Sequence, residues 1–431
     1  MQRAGSENAG SWIPSSPSID CRIMNIWITL IIVTITYIGI ALGEFPALRS
    51  NRTTITLIGV GLLLALRQVT FEQIGGFLNL DTLVLLFGMM VINANLQLAG
   101  FFRLSGAAIL RFTRGPRSLL ALEVIVVGLL SALFLNDTIC LILTPLILDI
   151  TLNAKRNPIP YLIALGTAAN IGSVATLTGN PQNMIIGVAS HISYLAFAVS
   201  LTPVALLGLG GVWLVLILFY RDEFRPGAFE SVQIPETHFY RPLLYKSMFV
   251  VGGLLIAFVL GVPIAEAAFI AGCVLLFTRR VRPEKILNAI DTDLLFFFGA
   301  LFIISGTIES SGLSARMFEV VRPWVDGGAV TFSAITVVLS NLVSNVPAVL
   351  LLKPLIANLS HPQAAWLTLA AASTLAGNLT LLGSVANLIV AEGAARRGIK
   401  LGFWEFTKPG AVITLISLAL GVGWIQLFIW K

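Results

Sequence analysis

The sequence predicts an all-α, polytopic membrane protein made of two inverted-topology repeats, with about ten transmembrane helices plus two re-entrant helical hairpins. Three observations predict it. Of 431 residues, 57% are apolar and only 11% are charged. A soluble domain is about a quarter charged, so this chain lacks the groups to cover a water-exposed surface, which excludes a water-soluble enzyme. Two apolar stretches run past the ~17–25 residues that one crossing needs, and polar residues break each in the middle. Finally, three blocks recur in the same order in both halves of the chain.

Taken in order, residues 1–24 are rich in Ser, Pro and Gly without apolar periodicity, and are expected to form a disordered N-terminal tail, with Met24 as an alternative start. Apolar runs then predict crossings near Asn25–Leu42, Thr53–Leu66, Thr82–Ala99, Tyr161–Ala189, Tyr194–Tyr220, Ser247–Leu260, Ile264–Thr278, Leu294–Glu309, Ala364–Glu392 and Gly410–Trp430. The overlong stretches, about 118–152 and 329–359, are the expected hairpins, each returning to the side it entered from. The first repeat is thus expected over 25–220, a cytoplasmic linker over 221–246, and the second repeat over 247–431.

Positive charges test this arrangement. With two returning hairpins, one side collects Arg49 and Arg52, then Arg103, Arg111, Arg114 and Arg117, Lys155 and Arg156, Arg221, Arg225, Arg241 and Lys246, Arg279, Arg280, Arg282 and Lys285, and finally Arg396, Arg397, Lys400 and Lys408. The loops around His191, Gly261 and His361, on the other side, hold no Lys or Arg; the segment with Arg316 and Arg322 and the exposed ends also lie there. The positive-inside rule makes the first side cytoplasmic and leaves both termini outside. It also accounts for the net charge of +6 without a nucleic-acid partner.

The repeat is ungapped within each block. "SALFLNDTICLILTPLI" from Ser131 matches "SNLVSNVPAVLLLKPLI" from Ser340, pairing Asn136 with Asn345 and Pro145 with Pro354. "TLTGNPQNMII" from Thr176 matches "TLLGSVANLIV" from Thr380, pairing Gly179 with Gly383 and Asn183 with Asn387, and "LVLLFGMM" matches "LLFFFGAL" around Gly88 and Gly299. Five crossings and one hairpin per half is an odd number of crossings, so the halves must have opposite orientations. Inverted repeats with broken helices belong to secondary transporters, whose site lies near the midplane.

The hairpin tips, "LNDT" at Leu135–Thr138 and "SNVP" at Ser344–Pro347, put polar groups at membrane depth, where irregular backbone survives only if buried or lining a wet cavity. The helix after each tip turns free N–H groups toward an anion, and carbonyls of the preceding arm suit a cation. Simple capping by Asn136 and Asn345 is the plainer alternative. The second pair of breaks, "TLTGNPQN" and "TLLGSVAN", frees backbone groups mid-crossing and offers Thr, Asn and Gln side chains, against the alternative of a kink satisfied internally. Ionisable groups within apolar runs each cost roughly 2.5–3.5 kcal/mol on insertion scales. Asp137 is the foremost; its repeat mate is Val346, so a single carboxylate is expected to serve as the proton or sodium site. Glu123, Glu266 and Lys353 are weaker candidates, and Asn93, Asn95 and Gln97 read as interhelical hydrogen-bonding groups. Cys21, Cys140 and Cys273 are too scattered for a disulfide framework, and the sequence lacks HExxH and GxSxG, so no metal, cofactor or enzyme chemistry is expected.

These residues, "LFLNDTICLILTPLIL" with "NIGSVATLTGNPQNMIIG" and "SNLVSNVPAVLLLKPLI" with "TLAGNLTLLGSVANLIV", closely resemble the arsenite permease branch of the ion transporter superfamily, which also holds sodium/proton antiporters and citrate and other dicarboxylate carriers. The resemblance covers Asn25 to Trp430. It implies alternating access of an elevator or related kind, a possible homodimer, and binding loops at Asn136, Asp137 and Thr138; Thr176, Gly179, Asn180 and Asn183; Ser344 and Asn345; and Thr380, Gly383, Ser384 and Asn387. Dicarboxylate carriers typically carry Ser-Asn-Thr at both tips, and the departure here favours the arsenite-permease-like or general anion branch. The expectation is a secondary transporter of a small oxyanion or carboxylate, coupled to H+ or Na+ through Asp137, in the plasma membrane of a prokaryote. A sodium/proton antiporter is the alternative, and an anion channel a more distant one.

Overall fold

The structure, a computed structural model, describes residues 19–42, 51–225, 239–278, 281–316, 319, 328–356 and 359–430. Helices account for nearly all of the ordered elements among them. The first half runs α1 (Ile19–Leu42), α2 (Arg52–Ala65), α3 (Phe71–Phe77), α4 (Leu80–Ala99), α5 (Phe101–Phe112), α6 (Pro116–Leu133), α7 (Asn136–Asn153), α8 (Ile159–Ser173), α9 (Pro181–Ser190) and α10 (Tyr194–Phe219). The second runs α11 (Arg241–Val259), α12 (Ile264–Leu276), α13 (Pro283–Leu287), α14 (Thr292–Ser310), α15 (Ala329–Val343), α16 (Asn345–Ile356), α17 (Pro362–Ala376), a 3-10 turn at Leu381–Gly383, α18 (Val385–Ala395) and α19 (Phe403–Phe428). Among the described residues, seven helices are long and apolar enough to cross a membrane.

Local chemistry sets many of the starts. Asn51, Asn79, Ser193 and Asp291 each accept a backbone N–H of the first turn of α2, α4, α10 and α14, satisfying donors that the helix cannot. Pro116 and Pro181 occupy first-turn positions where no N–H is needed. Gly100, at φ 83°, ends α4 in the left-handed conformation.

Packing repeats across the halves. α4 lies along α12 and α14 along α2; α6 lies on α8 and α10, α15 on α17 and α19; and α10 packs on α19. Gly88 lets α4 and α12 touch through backbone, since a Cβ there would meet Ala268 O at 2.5 Å, whereas at its mate Gly299 the nearest atom, on Leu78, is 3.8 Å away.

The first hairpin is α6–α7. Arg117, at the start of α6, donates through Nε to Phe224 O (2.8 Å), and Arg156, just past α7, pairs with Glu223 at 2.8 Å. Both outer ends therefore sit at the end of α10. The tip stops midway along the α8–α9 crossing, where Asn136 N donates to Gly179 O at 3.0 Å.

Several expectations need correction. α1 begins at Ile19, six residues ahead of the expected start, so the last part of the expected tail is helical; residues 1–18 lie outside the described residues. α11 and α19 likewise begin earlier than expected, at Arg241 and Phe403, because a helix continues through charged residues beyond the apolar window. Arg103 and Arg111 lie on a helix, α5, rather than in a loop: Phe102 and Ile109 bury its inner face. The short helices α3 and α13 also escaped the hydropathy reading. Linker residues 226–238, and Arg49, Arg279, Arg280 and Arg322, lie outside the described residues.

Candidate ion and substrate site

Four helices, α7, α9, α16 and α18, begin directly after breaks at 134–135, 174–180, 344 and 377–384. The second arms reach across the halves, α7 packing on α18 and α16 on α9. Both hairpin tips and both unwound crossings are thereby brought together.

Each unwound loop is held by one amide in the same way. Asn183 Nδ2 donates to Ser173 O and Thr176 O, both at 3.0 Å, and Asn387 Nδ2 donates to Gly377 O (2.8 Å) and Thr380 O (3.2 Å). Asn180 Oδ1 accepts from Asn183 N at 2.8 Å and Ser384 Oγ from Ala386 N at 3.3 Å, capping α9 and α18. The expectation of internal satisfaction thus holds for the side chains of Asn180 and Ser384 toward their own helices, and both also reach further. Asn180 Nδ2 donates to Ser173 Oγ (2.8 Å) and Thr374 Oγ1 (3.3 Å), and Ser384 Oγ donates to Asn170 Oδ1 at 3.0 Å.

Simple capping does not describe the tips. Asn136 is the first residue of α7, and its Nδ2 leaves the hairpin to donate to Asn170 Oδ1 at 3.0 Å. Asn345 opens α16; its Oδ1 accepts from Ser340 Oγ at 2.6 Å, and Ser340 also reaches Ser373 O at 3.1 Å. Thr176 donates to Ala132 O of the first hairpin and meets Thr178 Oγ1 at 3.3 Å, which in turn faces Tyr194 OH at 3.5 Å. Gly179 and Gly383 are sites of close approach. A Cβ on Gly179 would meet Ser173 O at 2.5 Å and Ser131 O at 2.8 Å, and one on Gly383 would meet Gly377 O at 2.9 Å.

Besides Asp137 and Val346, the halves differ chemically in how a matched Ser and Asn bond. In the second, Ser340 and Asn345 bond each other; in the first, their mates Ser131 and Asn136 leave Ser131 Oγ and Asn136 Oδ1 buried without a partner, as is Asn183 Oδ1. Each such orphan costs about 1–3 kcal/mol. Three unsatisfied oxygens on residues grouped around Gly179, with carbonyls of Ser131 and Ser173 beside them, are the donor set a hard cation takes. Among the described residues, no group of three or more His, Cys, Asp or Glu is placed to hold a metal ion.

The remaining candidates stand at the edge of this centre. Asp137 is half-buried in the first turn of α7, within electrostatic range of Arg52 and Asp291 at the starts of α2 and α14. Thr138 Oγ1 accepts from Asn93 Nδ2 of α4 at 3.4 Å. Ser344 takes a positive φ of 77° and is half-buried, and Thr380 is half-buried as well. Of the expected interhelical groups, Asn93 behaves so, but Asn95 Nδ2 turns back to Val91 O of its own helix at 2.8 Å and Gln97 is exposed. Glu266 is exposed in the first turn of α12 and lines a cavity of about 350 Å³ with Asp81, His191 and Tyr194. Glu123 is fully buried with both oxygens unpartnered.

Sequence reasoning missed Asn170, Thr374 and Asn378 as members of the centre, while Gln182 is the glutamine that the first unwound crossing offered. Asn170 and Asn378 stand just ahead of the repeated blocks, and at the same offset their mates are Thr374 and Val174, so a search for matched residues passes over them.

The model of the citrate transporter family matches residues 28–376. A silicon efflux transporter of Oryza sativa subsp. japonica is 31% identical, over 88% of this chain and 93% of that protein. A putative transporter, arsB, of Dictyostelium discoideum is 22% identical over 86% of each. Among solved structures, the Alcanivorax borkumensis YdaH transporter superposes with a TM-score of 0.59 at 19% identity, covering 95% of this chain and 98% of that one, which speaks for the fold alone.

Proposed function

The chain belongs to the citrate transporter family, and from that premise we propose that it moves a small oxyanion, or a carboxylate, across a prokaryotic plasma membrane, driven by H+ or Na+ through alternating access. It is an integral, multi-pass membrane protein of the anion-transporter type, and its relatives are transporters rather than enzymes. The observation that carries the finer reading is the meeting of four helix starts and four broken ends at one buried centre. Helix N-termini present free N–H groups and the positive dipole end to an anion, while the carbonyls ending α6, α8, α15 and α17 favour a cation.

Within that centre the roles divide. The orphaned oxygens of Ser131, Asn136 and Asn183 support a cation near Gly179, and Asp137 supplies the one carboxylate of the tips. The second tip, with Ser344 and Asn345, and the half-buried Thr380 face the substrate. The silicon efflux relative favours an oxyacid or oxyanion over a dicarboxylate, and export over uptake.

Purified protein in liposomes, given arsenite, silicic acid, phosphate or citrate under imposed pH or sodium gradients, tests this. Accumulation of one of these against its own gradient, driven by either cation, is expected. Sodium-driven proton flux that no member of the panel alters would replace the reading with a sodium/proton antiporter.

A further inference from the structure

A primary amide has two donor and two acceptor positions, and Asn170, 1% exposed at the end of α8, uses all four. Its Oδ1 accepts from Asn136 Nδ2 and Ser384 Oγ, both at 3.0 Å, and its Nδ2 donates to Asn378 Oδ1 at 2.8 Å and Asn387 Oδ1 at 3.2 Å. One partner is the first hairpin tip; of the other three, Asn378 and Ser384 lie in the unwound loop of the opposite half and Asn387 in the first turn of the helix after it.

The bonds run in one direction. Asn136 offers an unpartnered Oδ1 and donates through Nδ2 to Asn170 Oδ1; Asn170 donates to Asn387 Oδ1; Asn387 donates to the Gly377 and Thr380 carbonyls. In each amide, drawing electron density toward the oxygen strengthens the N–H donors, and linked hydrogen bonds polarise one another in a medium of low dielectric. A cation on Asn136 Oδ1 therefore strengthens every later bond and tightens the loop at 377–384. Gly166 keeps the path open, since a Cβ there would stand 2.9 Å from Asn387 Oδ1.

We propose that Asn136, Asn170 and Asn387 form an amide relay through which a cation bound in the first half orders the substrate loop of the second, with Asn170 as the positioning residue that couples them. The inference rests on the transport reading above. A second contact between the halves lies outside the relay: Thr374 Oγ1 accepts from Asn180 Nδ2 and Gln182 Nε2 at 3.3 and 3.2 Å. It provides the control.

The test is backbone hydrogen exchange of full-length protein in lipid nanodiscs, with sodium chloride against choline chloride, read on peptides covering 176–183 and 377–387. In the unaltered protein, sodium is expected to slow both segments, the second by roughly ten-fold, within the usual range of site-to-site coupling. In Asn170→Asp, which keeps the shape and the acceptors but removes the donors, sodium slows 176–183 and leaves 377–387 within about two-fold of its choline value. Thr374→Val keeps the response of both segments. Protection of both in Asn170→Asp overturns the relay, and so does loss of the response in Thr374→Val, which would make the contact a general clasp. Sodium acting on neither segment of the unaltered protein also overturns it, but through failure of the cation assignment, which the liposome experiment reads separately.

Discussion

Replacing Gly179 by Ala places one methyl group where the first hairpin tip meets the first unwound loop. The new Cβ would stand 2.5 Å from Ser173 O, 2.7 Å from Ser173 Cα and 2.8 Å from Ser131 O. All three are backbone atoms, so no side chain can swing away; relief requires the loop to draw back from the end of α8 and from the hairpin by several tenths of an ångström. Overpacking of this kind costs about 1–3 kcal/mol. Separation also weakens the bond from Asn136 N to Gly179 O, and a buried donor left unsatisfied costs about 1–3 kcal/mol more. The sum, about 2–6 kcal/mol, lies mostly below the ~5–15 kcal/mol of an ordinary domain, so the variant is expected to fold with its tip held away from the loop. Because the orphaned oxygens of Ser131, Asn136 and Asn183 lie on the parted elements, the cation dependence of transport should weaken by at least ten-fold. The repeat mate supplies the comparison: on Gly383→Ala the backbone contact is 2.9 Å and the next is with the side chain of Asn341 at 3.2 Å, so its loss should be clearly smaller. Uptake in liposomes against sodium concentration or pH, with size-exclusion profiles to establish folding, measures both. Wild-type cation dependence in a well-folded Gly179→Ala protein would refute the reasoning.

Asp137→Asn should abolish gradient-driven transport while leaving a monodisperse, folded protein; undiminished coupling in that variant removes Asp137 from the mechanism. Arg156→Gln breaks a pair whose side chains are only 27% and 11% exposed and which joins the first hairpin to the end of α10, so thermal unfolding in detergent should show a loss of about 1–2 kcal/mol. Arg225→Gln, in a pair exposed to solvent at both ends, should leave the melting curve unmoved, and equal losses would sink the argument from burial. Cysteines introduced at Arg114 and His191, both exposed, should react with an impermeant maleimide from opposite sides of the membrane; labelling from one side overturns the topology.

Much of the architecture was legible because membrane depth writes itself into run length and breakers. The expected hairpins at about 118–152 and 329–359 correspond to Pro116–Asn153 and Ala329–Ile356 in the structure, and the interrupted crossings break where Gly and Pro said they would. Short amphipathic helices such as α5 were not legible, because Arg103 and Arg111 lower the mean hydropathy while a buried stripe through Phe102 and Ile109 persists. The centre was legible only as far as symmetry reached. Asn183 and Asn387 repeat both in sequence and in hydrogen bonding, whereas Asn170 and Asn378 act across the two halves, and a bond between unlike positions leaves no mark in a self-alignment. Nor does a sequence tell a cap from a bridge: Asn136 was expected to turn inward on α7 and instead reaches α8.

The paired glycines of α4 and α14 bear on how such duplicated chains drift. Gly88 is pinned by the main chain of Ala268, while Gly299 faces only the distant end of Leu78. Two positions that share a letter in the repeat thus leave unequal room for a side chain. In a saturation library scored for function, alanine should be depleted at Gly88 and recovered at Gly299, so the more variable member of a repeat pair marks the looser helix contact rather than the less important half.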